Sequence, residues 1–196
     1  MVSSNLKKSF EETVKKSVKP LGRLGVTPNH ITAAGLLISF LAMWFYINWR
    51  INIYYLLFSA LIILFSGFLD AIDGVLARNT GKVSIFGGFF DSVSDRYSDS
   101  VILSGIILGG LCTPIVGLAA LVGSLMVSYT RSRAEAEGVN MSGVGFAERA
   151  ERMLFLALSS IAAYFWLPSL QYGVLFLALA AHFTVLQRVL NFKKKV

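Results

Sequence analysis

Five aspartates, Asp70, Asp73, Asp91, Asp95 and Asp99, fall within 30 positions of a 196-residue chain that carries only 11 acidic residues. Asp70 and Asp73 are spaced i, i+3, and Asp91 and Asp95 are spaced i, i+4, so each pair shares one face of a helix. The 17 residues between Asp73 and Asp91 include a turn at Asn79–Gly81. The spacing therefore predicts two helices folded back as an antiparallel pair, with four carboxylates converging. Four carboxylates in a half-buried cleft cannot all stay ionised without cations. Hard divalent ions with oxygen ligands, Mg²⁺ or Mn²⁺, together with substrate phosphate oxygens, meet that need. Two such ions about 3.5–4 Å apart suit an in-line displacement at phosphorus. Zinc fits poorly, because His30 and His182 are far apart and neither belongs to a ligand-spaced pair. The plainer alternative pairs the acids with Arg78 and Arg96, but two arginines cannot neutralise four carboxylates.

Small residues accompany the acids. Gly74 follows Asp73 directly and Gly87 lies four before Asp91. A bare α-carbon on that surface lets a nucleotide or phosphate approach the backbone, although glycine in a membrane helix also serves helix packing. Ala77 keeps the same face open, and the Arg78 fork can hold a phosphate bidentately.

The elements that must position these groups are apolar. Hydrophobic residues make up 55% of the chain and charged residues 15%, with a mean hydropathy of +0.66. Ordinary soluble domains carry about 25% charge, so disorder, a collagen-like fibre and a typical cytosolic domain are excluded. The single cysteine, Cys112, excludes an intrachain disulfide and a cysteine metal cluster. The expected fold is all-α: one polytopic membrane domain over 1–196, with six spans near 31–49, 53–77, 85–111, 114–136, 149–167 and 169–190. No secretory signal is evident, because the first apolar run starts near Ile31. Before it, Leu6, Phe10, Val14 and Val18 recur every fourth residue among lysines. Residues 3–19 thus predict a basic amphipathic helix on an anionic membrane surface, with a solvated charged helix as the alternative. With this layout, 17 of the 18 Lys and Arg residues fall on one side and only Arg50 on the other. By the positive-inside rule both termini and the acidic cluster face the cytoplasm. The net charge of +7 is spread around one membrane face, which argues for a lipid bilayer and against nucleic acid. The small-residue stretch Gly105–Gly110 offers a surface for a homodimer or for packing within one chain.

The segment Asp70-Ala-Ile-Asp73-Gly74-Val-Leu-Ala77-Arg78, followed after eight residues by Gly87-Gly-Phe-Phe-Asp91-Ser-Val-Ser-Asp95, resembles the signature of the CDP-alcohol phosphotransferases. All eight fixed positions are present at the right spacing. The resemblance extends to the six-helix layout, the N-terminal surface helix and the segment Thr27–Thr32. It implies that Asp70, Asp73 and Asp91 bind two metals, that Asp95 contributes to the metal site and acts as general base, and that Gly74 and Arg78 contact the CDP moiety. Asn29, Thr32, Ser84 and Gly87 are further candidates for that contact. Asp99 lies outside the signature and reads as an i, i+3 partner of Arg96.

The signature does not name the acceptor alcohol. Arg131 and Arg133 end the fourth predicted span, Arg149 and Arg152 open the fifth, and Arg188 lies late in the sixth. Arginine forks match phosphate oxygens, as a phosphorylated acceptor requires; the alternative is flanking charge paired with Glu148 and Glu151. The arrangement is similar to the branch of the family that makes phosphatidylinositol phosphate or archaetidylinositol phosphate. That similarity implies a CDP-linked lipid donor (CDP-archaeol or CDP-diacylglycerol), an inositol 1-phosphate acceptor, and Arg131, Arg149 or Arg152, and Arg188 as ligands of the acceptor phosphate. Synthases using CDP-inositol, or members using glycerol 3-phosphate or serine, are alternatives within the family. A six-span ion transporter is the alternative outside it.

Overall fold

The computed structural model describes residues 27–146 and 148–196. The amphipathic helix expected over residues 3–19 lies outside them. The described residues form six helices: α1 (Pro28–Ile47), α2 (Tyr54–Thr80), α3 (Ile85–Leu108), α4 (Pro114–Ala136), α5 (Arg149–Phe165) and α6 (Pro168–Lys195). Three of them open on proline, whose missing N–H costs nothing in the first turn. Thr27 caps α1 in a reciprocal pair with His30: the His30 amide donates to Thr27 Oγ1, and the Thr27 amide donates to His30 Nδ1, each at 3.4 Å. The His182 ring lies 3.2 Å from the Ala119 carbonyl. Both histidines thus have structural partners. The α2–α3 turn needs the left-handed conformation, and Gly81 supplies it at φ 66°.

Four helices, α1, α2, α4 and α6, are long and apolar enough to cross a membrane. The other two fall short for different reasons: α3 carries four charged residues, Asp91, Asp95, Arg96 and Asp99, and α5 has 17 residues.

Both acid-bearing helices, α2 and α3, pack on α1, while α2 also packs on α5, α3 on α4, and α6 on both α4 and α5. The expected direct α2–α3 pair is not formed along the helices; α1 lies between them. Small residues allow this approach. A Cβ on Gly105 would stand 2.7 Å from the Met43 α-carbon, and one on Gly109 would collide with the Tyr46 carbonyl. The Gly105–Gly110 stretch therefore serves packing within the chain. The main core lies below the acids and includes Tyr46, Leu56, Ile102, Leu103, Ile106, Leu156 and Leu177. Inside it the Tyr46 hydroxyl meets Ser160 Oγ at 2.5 Å, which satisfies a polar group that burial would otherwise penalise.

The two ends of the bundle differ. One is aromatic: Trp49 Nε1 donates to the Gly109 carbonyl at 2.9 Å, and the Tyr54 and Tyr164 rings lie 5.4 Å apart. Arg50, at this end, lies over the Trp49 ring. The other end gathers the aspartates with Arg96, Arg149 and Arg152.

Gly105→Ala is expected to lower the thermal unfolding midpoint in detergent, since overpacking a close backbone contact costs about 1–3 kcal/mol. Gly67→Ala, where an added Cβ meets nothing, is the control and should leave the midpoint unchanged or slightly raised. Equal midpoints for the two variants would contradict the close packing of α3 on α1.

Candidate active site

The last turns of α2 and the first turns of α3 deliver the carboxylates to one place. Asp70, Asp73, Asp91 and Asp95 all border a single small cavity, together with Arg149. One oxygen each from Asp70, Asp91 and Asp95 lies within 4.8 Å of the others. Asp73, only 6% exposed, stands beside this trio. Its Oδ2 accepts a hydrogen bond from Thr32 Oγ1 at 2.6 Å, so α1 orients the carboxylate as well as separating the two acid-bearing helices. Asp91 Oδ1 is buried with no donor. An orphaned carboxylate oxygen inside a cluster of acids is what a divalent oxygen-seeking cation would satisfy. The donor set therefore fits a metal such as Mg²⁺ or Mn²⁺.

The charge that faces the cluster in the protein comes from α5. Arg149 NH1 lies 2.9 Å from Asp95 Oδ1 and 3.2 Å from Asp70 Oδ2, while its Nε donates to Asp99 Oδ1 at 3.1 Å. Arg96 contributes a longer contact to Asp95, 3.6 Å. The sequence reading had paired Asp99 with Arg96. Instead, Asp99 turns into the protein and is taken by Arg149 and, at 3.5 Å, by Arg152, while the Arg96 guanidinium donates to the Ser92 carbonyl at 2.6 Å. The tertiary approach of α5 overrides the local i, i+3 geometry.

Beside the acids, a cavity of about 340 Å³ opens between the start of α1, the end of α2 and the start of α3. Asn29, Thr32, Gly74, Arg78, Ser84 and Gly87 all line it, with Asp73 and Asp91 on its inner wall. The glycines have visible uses. The Arg78 guanidinium folds over the bare α-carbon of Gly74, and a Cβ there would stand 3.3 Å from its NH1. At Gly87 a Cβ would stand 3.0 Å from Ser84 Oγ and 3.3 Å from Asn29 Oδ1. Ser84 also caps α3 by accepting from the Gly87 amide at 3.0 Å. Lys82 lines the same cavity. Its position four after Arg78 was the available signal, but nothing in the spacing set it apart from ordinary flanking charge.

The four acceptor candidates do not share one cavity. Arg149 reaches the carboxylates. Arg152, 3% exposed, walls a separate cavity of about 340 Å³ with Phe146, Glu151 and Phe155. Arg188, also 3% exposed, donates through Nε to the Val144 carbonyl at 2.8 Å and through NH1 to the Val127 carbonyl. It thereby ties the α4–α5 connection to the bundle. Arg131 is exposed and bonded to Glu135 at 2.9 Å. Arg188 feels the positive charges of Arg131 and Arg152 and the negative charges of Glu148 and Glu135. Arg149 pairs with aspartates of α2 and α3, and Glu151 accepts from the Glu148 amide at 2.9 Å, capping α5.

The family model described as CDP-alcohol phosphatidyltransferase matches residues 25–186. The chain belongs to that family. This family member is 41% identical over 194 residues to the archaetidylinositol phosphate synthase of Pyrococcus horikoshii, covering 98% of this chain and 97% of the relative. It is 29% identical over 194 residues to the phosphatidylinositol phosphate synthase of Mycobacterium tuberculosis, covering 92% of this chain and 86% of the relative. Crystal structures of that mycobacterial synthase superpose on it with a TM-score of 0.80. One contains manganese and citrate and covers 92% of this chain and 88% of its own. Another has CDP-DAG bound, with coverage of 91% and 92%. This CDP-alcohol phosphatidyltransferase is thus a membrane protein of that fold, with an aspartate cluster able to hold a divalent metal.

Asp91→Asn, which keeps the shape of the side chain and removes its charge, should weaken Mn²⁺ binding by more than about tenfold, since losing even an outer partner of a metal site costs about 10–100-fold. Calorimetric titration of purified protein with Mn²⁺ reads this directly. Wild-type affinity in the variant would remove Asp91 from the site.

Proposed function

We propose that this chain transfers a phosphatidyl-type group from a CDP-linked lipid, CDP-archaeol or CDP-diacylglycerol, to inositol 1-phosphate and releases CMP. The observation that carries the proposal is that two adjoining cavities share residues and that Arg149 reaches from α5 into the second. The cavity lined by the signature residues shares Asp73 and Asp91 with the carboxylate cluster, and Arg149 joins that cluster to the arginines of α5. A nucleoside diphosphate in the first, a reacting phosphorus at the second and an acceptor phosphate beside Arg149 would lie in sequence. The names of the archaeal and mycobacterial relatives support the choice of acceptor.

Asp70, Asp73, Asp91 and Asp95 would hold two Mg²⁺ or Mn²⁺ ions. Those ions supply charge neutralisation of the diphosphate and of the departing CMP. The chain's own residues do the remaining work. Arg78, beside the bare surface of Gly74, grips the nucleotide phosphates. Asn29, Thr32, Ser84 and Gly87 shape the nucleotide cavity. Asp95 accepts the proton of the acceptor hydroxyl, whose oxygen forms a bond to the lipid-side phosphorus. The bond from that phosphorus to the CMP oxygen breaks, and CMP leaves with the electron pair. Arg149 and Arg152, with Arg131 and Arg188 behind them, hold the acceptor phosphate. Positioning and charge stabilisation provide most of such catalysis.

All six helices cross the bilayer in this reading. The 17 residues of α5 extend about 26 Å at 1.5 Å each, short of the usual apolar thickness but flanked by polar residues at the acidic end. The polar first half of α3 faces the cleft rather than lipid. The cluster, the cavity and both termini face the cytoplasm, and the chain is one domain.

Purified protein given a CDP-lipid and Mn²⁺ should release CMP with inositol 1-phosphate, and not with free inositol or serine, nor with CDP-inositol as donor. Release with glycerol 3-phosphate alone would replace the inositol acceptor. Asp95→Asn should keep stabilisation by CDP with Mn²⁺ yet lose at least about 10²-fold in turnover, the lower range for a general base. Wild-type rates would sink that assignment.

A further inference from the structure

Asp99 lies one turn beyond Asp95, outside the eight-residue signature, and is 5% exposed. Both of its oxygens are used. Oδ1 accepts from Arg149 Nε at 3.1 Å, and Oδ2 lies 3.5 Å from Arg152 NH2. One buried carboxylate therefore holds two arginines from successive turns of α5.

Two features set this contact apart from simple neutralisation. The first is bridging: one carboxylate holds two guanidinium groups at once, one of which also reaches Asp70 and Asp95. The second is geometry: Asp99 takes Arg149 by its Nε, while NH1 of the same fork points at Asp70 and Asp95. A guanidinium fixed along one edge cannot turn freely about its stem, so its other end has a set place against the carboxylates. Without Asp99, the carboxylates left to Arg149 here would be Asp70 and Asp95.

We propose that Asp99 is a positioning residue for the acceptor phosphate. It fixes the Arg149 and Arg152 guanidinium groups at the edge of the aspartate cluster, so that a phosphate monoester is gripped beside Asp95. The inference rests on the reading of a phosphorylated acceptor given above. Asp99 itself never meets the phosphate; it acts through the two arginines.

The test is a comparison of Michaelis constants for both substrates in wild type, Asp99→Asn and Asp99→Glu, with Mn²⁺ and CDP-lipid. Asp99→Asn should raise KM for inositol 1-phosphate about tenfold or more, as expected for loss of charge-assisted positioning, while KM for CDP-lipid stays within about twofold. Asp99→Glu keeps the charge but displaces it by one methylene, so its acceptor KM should fall between wild type and Asp99→Asn. A change in kcat alone, or equal changes in both Michaelis constants, would overturn the positioning role while leaving the proposed reaction intact. Removing charge from a buried pair destabilises a fold. If Asp99→Asn is not recovered folded, Asp99→Glu decides by the same split: a rise confined to the acceptor supports the role and an unchanged acceptor KM overturns it. Wild-type turnover with only an unphosphorylated acceptor would overturn both readings. Turnover with only glycerol 3-phosphate would discard inositol and leave the same KM series to judge Asp99.

Discussion

Four carboxylates at the end of a bundle of apolar helices must be met by positive charge, and the rest of the site is arranged around that demand. Within the described residues, the cation that answers it most directly is Arg149, which contacts Asp70, Asp95 and Asp99 together. Its length allows α5 to reach a cluster built by α2 and α3. The remaining adjustments are local. Thr32 donates to Asp73, and Asp91 is left with one oxygen undonated. The cluster is partly compensated, and the uncompensated part is where a divalent ion has most to gain.

The placement of α1 follows from the same demand. With α1 between α2 and α3, the acids meet only at the helix ends, and a nucleotide-sized cavity opens beside the turn. The close approach of α3 to α1 depends on Gly105 and Gly109, which lie far from the chemistry. Backbone proximity at the aromatic end thus fixes how closely α3 lies against α1.

Much of this was legible in the sequence. The spans expected from 114 and 169 start within a residue of the observed Pro114 and Pro168, while the first helix starts at Pro28, three residues before the expected 31, because proline is well tolerated in a first turn. The signature residues gathered as their helical spacing required, and all six nucleotide candidates line one cavity. The failures were all tertiary. Nothing in residues 70–95 reveals that a third helix lies between the pair. Asp99 was assigned to its neighbour Arg96, because local spacing is visible in a sequence and the approach of a helix 50 residues away is not. For Arg188, kept in the proposed acceptor site, a sequence cannot show that two of its donors also meet the Val127 and Val144 carbonyls.

That last contact bears on how this chain can vary. Arg188 grips the α4–α5 connection through main-chain oxygen, and Lys195 likewise donates to the Asn140 carbonyl at 3.1 Å. Main-chain acceptors are present whatever side chain follows them. The connection can therefore exchange most of its residues and still be held in the same place. The exceptions are Gly138, Gly143 and Gly145, whose φ angles of 80°, 71° and 134° disfavour any side chain, and at Gly145 a Cβ would also collide with Thr184. The fold thus leaves the other positions of this connection open to substitution while keeping its path fixed, and a lineage could vary that surface without rebuilding the helices beneath.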